Sequence, residues 1–510
     1  MDIQQRVQRI GLAAGPLLAL AVYVLLPDAY RGAAGESVPL GHATRATLGM
    51  MVWMATWWMT EAVEIEVTSL LPIAAFPMLG VLPLGKTTAN YGSDIVYLFL
   101  GGFVLALAIQ RWGLDRRIAF QTLRWVGTRP SAIVAGIMGA TAFISMWVSN
   151  TATAAMMVPI ALSIVDLSLV RRTGRTLAEH GGIPTEDADA RNLALSLLLG
   201  VAYAASIGGV GTIIGSPPNG IFGRFYAQSY GAEVSFVKWM VVGIPVILLF
   251  LPVAWLLNTR VLFPIRMREI EGGPAWVREE LGKLGPLNRG EKATMAVFAV
   301  AVFLWVFRPL LAGIRVGGIA PLANLSDAVI AIGAAIALFI IPVDRERRLF
   351  VSDWSSAVRL PWGVLILFGG GLALAAATEA NGVGQFIGSL ARGFSGWPVM
   401  AVVFVVVALM VFMSELTSNT AQVATMLPIL AALAPVLGVP PALLLLPSTI
   451  AASCAFMMPV GTPPNAIVFG TGLVRMPQMM KAGIWLNLSG ILLITALTYL
   501  LIGPLLAAAG

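Results

Sequence analysis

Cysteine, histidine and charge are all scarce in this chain of 510 residues. Its one cysteine, Cys454, stands alone in an apolar stretch, and its two histidines, His42 and His180, fall in loop-like segments. A disulfide framework, a thiol pair and a histidine-built metal site are thereby excluded. Charged residues make up 11% of the chain against 58% hydrophobic, and mean hydropathy is +0.87. A soluble domain of that composition would expose large apolar surfaces, so the chain reads as an integral membrane protein. The polar stretch Met1 to Arg9 leads into an apolar run with no small-residue cleavage site, which reads as a retained first helix.

Long unbroken apolar runs are plentiful, Val399 to Met413 and Ile491 to Ala509 among them. They call for helices, since a spanning helix needs about 20 apolar residues whereas a barrel strand takes about 10 of alternating polarity. Runs bounded by charge, Gly and Pro predict helices near Ile10 to Pro27, Thr47 to Met59, Val67 to Leu79, Asp94 to Gln110, Asn192 to Gly215 and Phe236 to Leu257. Others follow at Lys292 to Phe307, Leu322 to Ile341, Pro361 to Thr378, Ala442 to Met458 and Ile484 to Leu506. These make about eleven crossings. Two further stretches, Ser131 to Asp166 and Pro398 to Leu437, are too long for one span and carry a polar Ser-Asn-Thr triplet at their centre. Each is a pair of crossings or a re-entrant hairpin.

The net charge of +7 could suit nucleic acid, but the basic residues lie in short loops between apolar segments, which fits membrane orientation instead. With the N-terminus inside and each hairpin returning to its own side, 24 of the 32 Lys and Arg fall on the cytoplasmic face. The other eight, Arg392 among them, face outward, so the C-terminus is expected outside. The Gly- and Pro-rich loop from Arg260 to Lys292 is the natural boundary between halves.

Those halves repeat. Ser149 to Ile160 reads SNTATAAMMVPI and Ser418 to Ile429 reads SNTAQVATMLPI, identical at eight of twelve positions. Four residues ahead of each triplet lies another serine, Ser145 and Ser414. Downstream come GSPPN at Gly215 to Asn219 and GTPPN at Gly461 to Asn465. Five expected crossings separate the triplets, so the second copy is inserted upside down, an inverted-topology repeat of the kind transporters use. Hairpins entering from opposite sides can bring both tips to one site near the midplane. Pro217, Pro218, Pro463 and Pro464 break their helices and free carbonyls, which at that depth are tolerated only around a protein cavity. Carbonyls with Ser, Thr and Asn oxygens form a small hard-cation cage suited to sodium. Asn and Thr at the tips cap helices whose N-terminal amides attract a carboxylate. A lone SNT would be an ordinary N-cap and a lone PPN an ordinary turn; their duplication in inverted halves makes them a site.

The S-x3-SNT motif in each half followed by G-[ST]-PPN resembles the divalent anion/sodium symporters, carriers of succinate-like dicarboxylates, citrate and sulfate. The likeness runs from about Trp53 onward. It implies an elevator-type homodimer, each protomer with a scaffold and a mobile transport domain, and one main sodium site per hairpin. Carried over by motif, the first sodium falls to Ser145, Ser149, Asn150 and the Gly215 carbonyl. The second falls to Ser414, Asn419, the Gly461 carbonyl and the Thr417 carbonyl. Substrate carboxylates would meet Asn150, Thr151, Asn419 and Thr420, with Ser216, Thr462 and Pro463 completing the pocket. None of these is Arg or Lys, so sodium ions and helix ends would have to neutralise a dianion.

Other residues take plainer readings. Glu415 invites a proton-carrier or cation-ligand role; a surface-facing or partnered glutamate is the reading adopted. Glu61, Glu64, Glu66, Asp94, Asp327 and Glu379 read as solvated or interfacial, and Trp53, Trp57 and Trp58 as interface anchors. Gly208, Gly209, Gly211 and the run Gly369 to Gly371 read as close helix packing, and Met156, Met157, Met457 and Met458 as lining or packing. The polar stretches Gly113 to Arg129 and Ala380 to Ser395 each precede a hairpin and read as arm helices along the membrane.

The fold expected is therefore an all-α polytopic membrane protein with about eleven transmembrane helices and two re-entrant hairpins. Residues 1–130 and 263–396 would form the scaffold, 131–262 and 397–510 the transport domain. The function expected is sodium-coupled symport of C4-dicarboxylates (succinate, malate, fumarate) across the inner membrane, without nucleic acid. A dicarboxylate exchanger and a sulfate or citrate carrier share these motifs. A channel or an intramembrane enzyme is the rival of another class; the motifs offer hydroxyls with no His or Lys beside them, so no enzyme is expected.

Overall fold

The computed structural model describes residues 3–31, 36–127, 129–183, 187–270, 272–315, 319–390 and 396–502. Arg392 and the end of the second arm stretch, to Ser395, lie outside the described residues, as does the last part of the Ile491 to Ala509 run.

In the first half the apolar runs form α1 (Ile3–Leu25), α2 (His42–Thr60), α3 (Ile65–Thr68), α4 (Leu71–Met78), α5 (Leu84–Thr88), α6 (Asp94–Arg111), α7 (Leu114–Val126), α8 (Pro130–Ser145), α9 (Asn150–Thr173), α10 (Ala188–Gly209), α11 (Pro217–Tyr230) and α12 (Phe236–Leu256). The second half adds α13 (Gly273–Leu284), α14 (Arg289–Ala312), α15 (Asp327–Ile340), α16 (Trp354–Ala357), α17 (Trp362–Ala380), α18 (Val383–Leu390), α19 (Val399–Ser414), α20 (Asn419–Val436), α21 (Ala442–Ala452), α22 (Pro463–Gly470) and α23 (Met476–Leu497). Among the described residues nine helices are long and apolar enough to cross a membrane, and five apolar helices are shorter.

The short ones show where the expected spans break. The Val67 to Leu79 run divides at Ser69 and Leu70, because Pro72 sits in the first turn of α4, where its missing N–H costs nothing. The Asn192 to Gly215 run stops at Gly209 and the Ala442 to Met458 run at Ala452, each ahead of a Pro-Pro pair that opens the next helix. Both expected hairpins are present. The pair α8 and α9 turns within residues 146–149, and α19 and α20 turn within 415–418. At 16 residues, α8 and α19 rise about 24 Å, short of a bilayer core of about 30 Å. The order α8, α9, α10, break, α11, α12 recurs as α19, α20, α21, break, α22, α23.

Small residues let these helices approach closely. A methyl on Gly208 would lie 2.3 Å from the Ala142 carbonyl oxygen of α8, and one on Gly370 would lie 2.5 Å from the Ser69 carbonyl oxygen. The glycines therefore pack helices, as their composition suggested. Two of the plainer readings change. Trp58 is fully buried and donates its indole N–H to the Ile65 carbonyl, so it is a core residue that pins α2 to α3 rather than an interface anchor. Asp327 is buried too, accepting the Phe236 N–H at 2.8 Å and pairing with Arg308 at 3.0 Å. The stretches expected as arms are helical as α7 and α18. Arg117 of α7 clasps Glu291 of α14 through two nitrogens, at 2.7 and 3.2 Å.

Candidate functional site

Each hairpin tip ends in the same local device. Ser149 and Ser418 occupy the N-cap positions of α9 and α20, and their hydroxyls accept from the Ala152 and Ala421 N–H groups at 3.3 and 3.5 Å. Asn150 and Asn419 are thus the first helical residues, at the positive end of each helix dipole. Behind each tip lies a broken helix. Residues 210–216 separate α10 from α11, and residues 453–462 separate α21 from α22.

The breaks are held by the asparagine that closes each PPN. The Asn219 amide donates to the Gly209 and Thr212 carbonyls at 2.9 and 2.8 Å. The Asn465 amide donates to the Ala455 and Met458 carbonyls at 3.1 and 3.0 Å, at the same offsets back along the chain. Both side chains are fully buried, and both side-chain oxygens have no protein partner. Sequence reasoning used the prolines of this motif and missed its asparagine, although the duplication of PPN was the signal.

Under the first tip, Ser145 Oγ lies 2.7 Å from both Asn150 Oδ1 and the Ala205 carbonyl oxygen. Thr212 donates to the Met146 carbonyl and accepts the Gly215 N–H at 3.1 Å. Gly215 faces a nest of carbonyl oxygens: a methyl there would sit 2.6 Å from that of Gly209, 3.0 Å from Met146 and 3.1 Å from Ser145. A methyl on Gly209 would lie 2.3 Å from Asn150 Oδ1. Converging carbonyl, amide and hydroxyl oxygens are the donor set a hard monovalent cation uses. Aromatic packing fixes this tip, since Trp147 stacks on Phe236 at 6.0 Å and meets Phe298 of α14 edge-on at 5.0 Å.

Under the second tip the arrangement differs. Ser414 turns back to its own helix, donating to the Val411 carbonyl at 2.7 Å, and Thr417 donates to the Met413 carbonyl at 2.9 Å. Ser414 and Asn419 therefore do not meet as Ser145 and Asn150 do. Asn419 Oδ1 is buried without a protein partner, an orphaned acceptor that fits a cation. Glu415 is buried and partnered, so the partnered half of its reading holds and the surface-facing half does not. Its carboxylate accepts the N–H groups of Phe456, Met457 and Met458 at 2.8 to 3.0 Å and the Asn487 amide at 2.7 Å. No motif pointed to Asn487.

The expected site residues fall into two layers. Ser145, Gly215, Ser216, Ser414, Thr417, Gly461 and Thr462 are buried, whereas Ser149, Asn150, Asn419 and Thr420 are half-buried, and Thr151 and Pro463 are exposed. Each hairpin's second helix packs on the PPN helix of the other half, α9 on α22 and α20 on α11. Because α22 has only eight residues, its contact with α9 lies within about two turns of Pro463. From the tips, Thr151, Ala155, Pro159 and Ser163 of α9 and Pro463, Ala466 and Phe469 of α22 present an exposed face. In contrast, α20 is covered by α2, α17 and α18, and α11 by α6 and α17. A separate cleft of about 760 Å³ between α11 and α20 on one side and α17 and α18 on the other carries Glu36 and Glu379 and none of the tip residues. Among the described residues no three His, Cys, Asp or Glu gather as a metal site.

Residues 32–507 match the model of the sodium:sulfate symporter transmembrane region. The chain is 39% identical to the sodium-dependent dicarboxylate transporter SdcS of Staphylococcus saprophyticus, covering 98% of this chain and 92% of that one. It is equally identical to the transporter of that name from Staphylococcus aureus strain USA300, over 96% and 91% of the two chains. Among solved structures the fold is similar to the Alcanivorax borkumensis YdaH transporter (TM-score 0.58, 13% identity, 98% of each chain). It is also similar to Neisseria gonorrhoeae MtrF (TM-score 0.55, 12% identity, 98% and 94%).

Proposed function

The chain belongs to the sodium:sulfate symporter family, whose members are multi-pass transporters and not enzymes, and from that membership we propose that it is a sodium-coupled symporter of C4-dicarboxylates in the inner membrane. The observation that carries the proposal is the set of oxygens gathered under the two tips, arranged differently in each. Beneath the first, three carbonyl oxygens crowd Gly215; beneath the second, Asn419 Oδ1 stands buried and unpartnered.

The buried layer, with half-buried Ser149, Asn150 and Asn419 above it, is assigned to sodium. Ser145, Ser149, Asn150 and the Gly215 carbonyl would hold one ion, and Ser414, Asn419 and the carbonyls of Thr417 and Gly461 the other. The open layer, with buried Ser216 and Thr462 beside it, is assigned to the dicarboxylate. Asn150 and Thr151 would meet one carboxylate and Asn419 and Thr420 the other, beside Ser216, Thr462 and Pro463. Each tip contributes a helix N-terminus, worth about half a positive charge, so two tips suit a ligand charged at two ends. The names of the relatives, sodium-dependent dicarboxylate transporters, support both assignments.

Coupling follows from electrostatics. Half charges at helix ends do not neutralise a dianion, and burying the remainder costs several kcal/mol, so substrate binds well only after sodium. The exposed face along α9 and α22 supports a cytoplasm-facing state, with the N-terminus inside and the C-terminus outside. Residues 131–262 and 397–510 would move as the transport domain of an elevator against a scaffold of 1–130 and 263–396, in a homodimer.

Uptake of labelled succinate by proteoliposomes tests this, with sodium, potassium and proton gradients imposed separately, succinate preloaded or not, and sulfate and citrate as competitors. Uptake driven by inward sodium without preloading is expected. Uptake only against internal succinate would make the protein an exchanger, and displacement by sulfate alone would replace the substrate class.

A further inference from the structure

The two cation positions are not equivalent, and the difference is one buried carboxylate. In the repeat, Glu415 follows Ser414 as Met146 follows Ser145. In the first half the break is tied to the tip by neutral groups, Thr212 donating to the Met146 carbonyl. In the second half Met458 stands where Thr212 would, and the tie is ionic: Glu415 gathers three successive backbone N–H groups and the Asn487 amide. The site offers this carboxylate four donors and no acceptor. Its Oε2 lies 3.1 Å from where a methyl on Gly461 would project. The charge is therefore fixed against the segment whose carbonyl is assigned to the second ion. Among the described residues no Lys or Arg pairs with it, so no salt bridge there cancels its field.

Resting on the sodium assignment above, we infer that Glu415 is a positioning residue that makes the second-half site the higher-affinity sodium site, the one filled first. It acts twice. By holding the N–H groups of residues 456–458 it turns that segment so that the carbonyls of Ala455 and Met458 lie against the Asn465 amide. By its charge it attracts a cation into a low-dielectric site, where an unscreened unit charge acts far more strongly than in water. The first-half site has only dipoles and fills second. Its filling beneath Asn150, whose neighbour Thr151 is exposed, then completes the open layer that receives the anion.

The test is a sodium titration of thermal unfolding on the purified full-length protein in detergent, choline replacing sodium, paired with sodium-dependent succinate uptake. Glu415→Gln should raise the sodium concentration for half-maximal protection at least tenfold. The sodium KM for uptake should rise in step, while succinate KM at saturating sodium changes less than about threefold. Glu415→Asp, which keeps the charge, should recover most of the sodium midpoint. A Glu415→Gln protein that unfolds at lower temperature yet keeps the wild-type sodium midpoint overturns the inference and leaves Glu415 a structural tie. A second comparison needs no change at Glu415. Asn150→Ala should retain the low-concentration phase of protection and Asn419→Ala should lose it; the reverse pattern, or equal loss, overturns the order of filling. Absence of sodium protection in the wild type would refute the sodium assignment itself, whereas protection with equivalent sites refutes only the inequality.

Discussion

Adding one methyl group at Gly215 probes the carbonyl nest with the least chemical change. Its backbone has no positive φ, so alanine meets no conformational strain, and the effect comes from what the methyl touches. It would lie 2.6 Å from the Gly209 carbonyl oxygen and 3.0 and 3.1 Å from those of Met146 and Ser145. Ordinary carbon to oxygen contact needs several tenths of an ångström more, and the obstructing atoms are backbone, so the break must widen. Overpacking of this kind costs about 1–3 kcal/mol. If the three carbonyls serve a cation, widening them raises its binding free energy by a like amount, or about 5- to 150-fold in the sodium midpoint.

Gly139, in the middle of α8 with open space around it, is the internal control; alanine there should be neutral or stabilise by about 0.5–1 kcal/mol. Gly461→Ala should be milder than Gly215→Ala, because its contacts begin at 3.1 Å and the first of them is a side-chain oxygen. Sodium-dependent succinate uptake in proteoliposomes, read as sodium KM at fixed succinate, gives the ranking. Gly215→Ala matching Gly139→Ala in both sodium KM and unfolding temperature would refute the nest.

Three further outcomes are expected. Asn219→Ala and Asn465→Ala each leave two buried carbonyls unpaired, so each should destabilise by about 2–5 kcal/mol and abolish most uptake, as thermal unfolding and transport assays on the same preparation would show. Glu291→Ala strands Arg117 at the junction of α7 and α14, and unfolding should report a loss of about 3–5 kcal/mol, with Glu291→Gln losing less. Burial raises the Asp115 carboxyl of α7 to about 6, against opposing help from the neighbouring Arg116. Since the folded form then holds a proton that the unfolded form releases near 4, stability should fall as pH rises from about 4 to 6 and stay flat above. Asp115→Asn should remove that slope and raise the unfolding temperature at pH 7.

Much of this was legible in the sequence because membrane folding writes its constraints locally. Duplicated SNT and PPN motifs marked both hairpins and both breaks, since a polar triplet between two apolar runs can only be a turn. Helix ends were less legible where tertiary packing set them: the expected span to Met458 ends at Ala452, because the following segment is bonded to Glu415 and Asn465, 41 and seven residues away from residues it holds. Side-chain partners across the fold left no trace. Asn487 lies in an unremarkable apolar helix 72 residues from Glu415, and in sequence Trp58 is indistinguishable from half-buried Trp53 and Trp57, although its indole meets the Ile65 carbonyl. The likeness of the two tips also concealed their difference, since Ser145 reaches Asn150 whereas Ser414 bonds its own helix.

The most direct measurement is simultaneous uptake of labelled sodium and labelled succinate by proteoliposomes holding the wild type or an Asn150→Ala, Asn419→Ala double variant. Sodium-coupled symport predicts that the two labels enter in a fixed ratio, that neither enters without the other, and that both fluxes vanish together in the double variant. Succinate entry at an undiminished rate in sodium-free medium, or in the double variant, would contradict it.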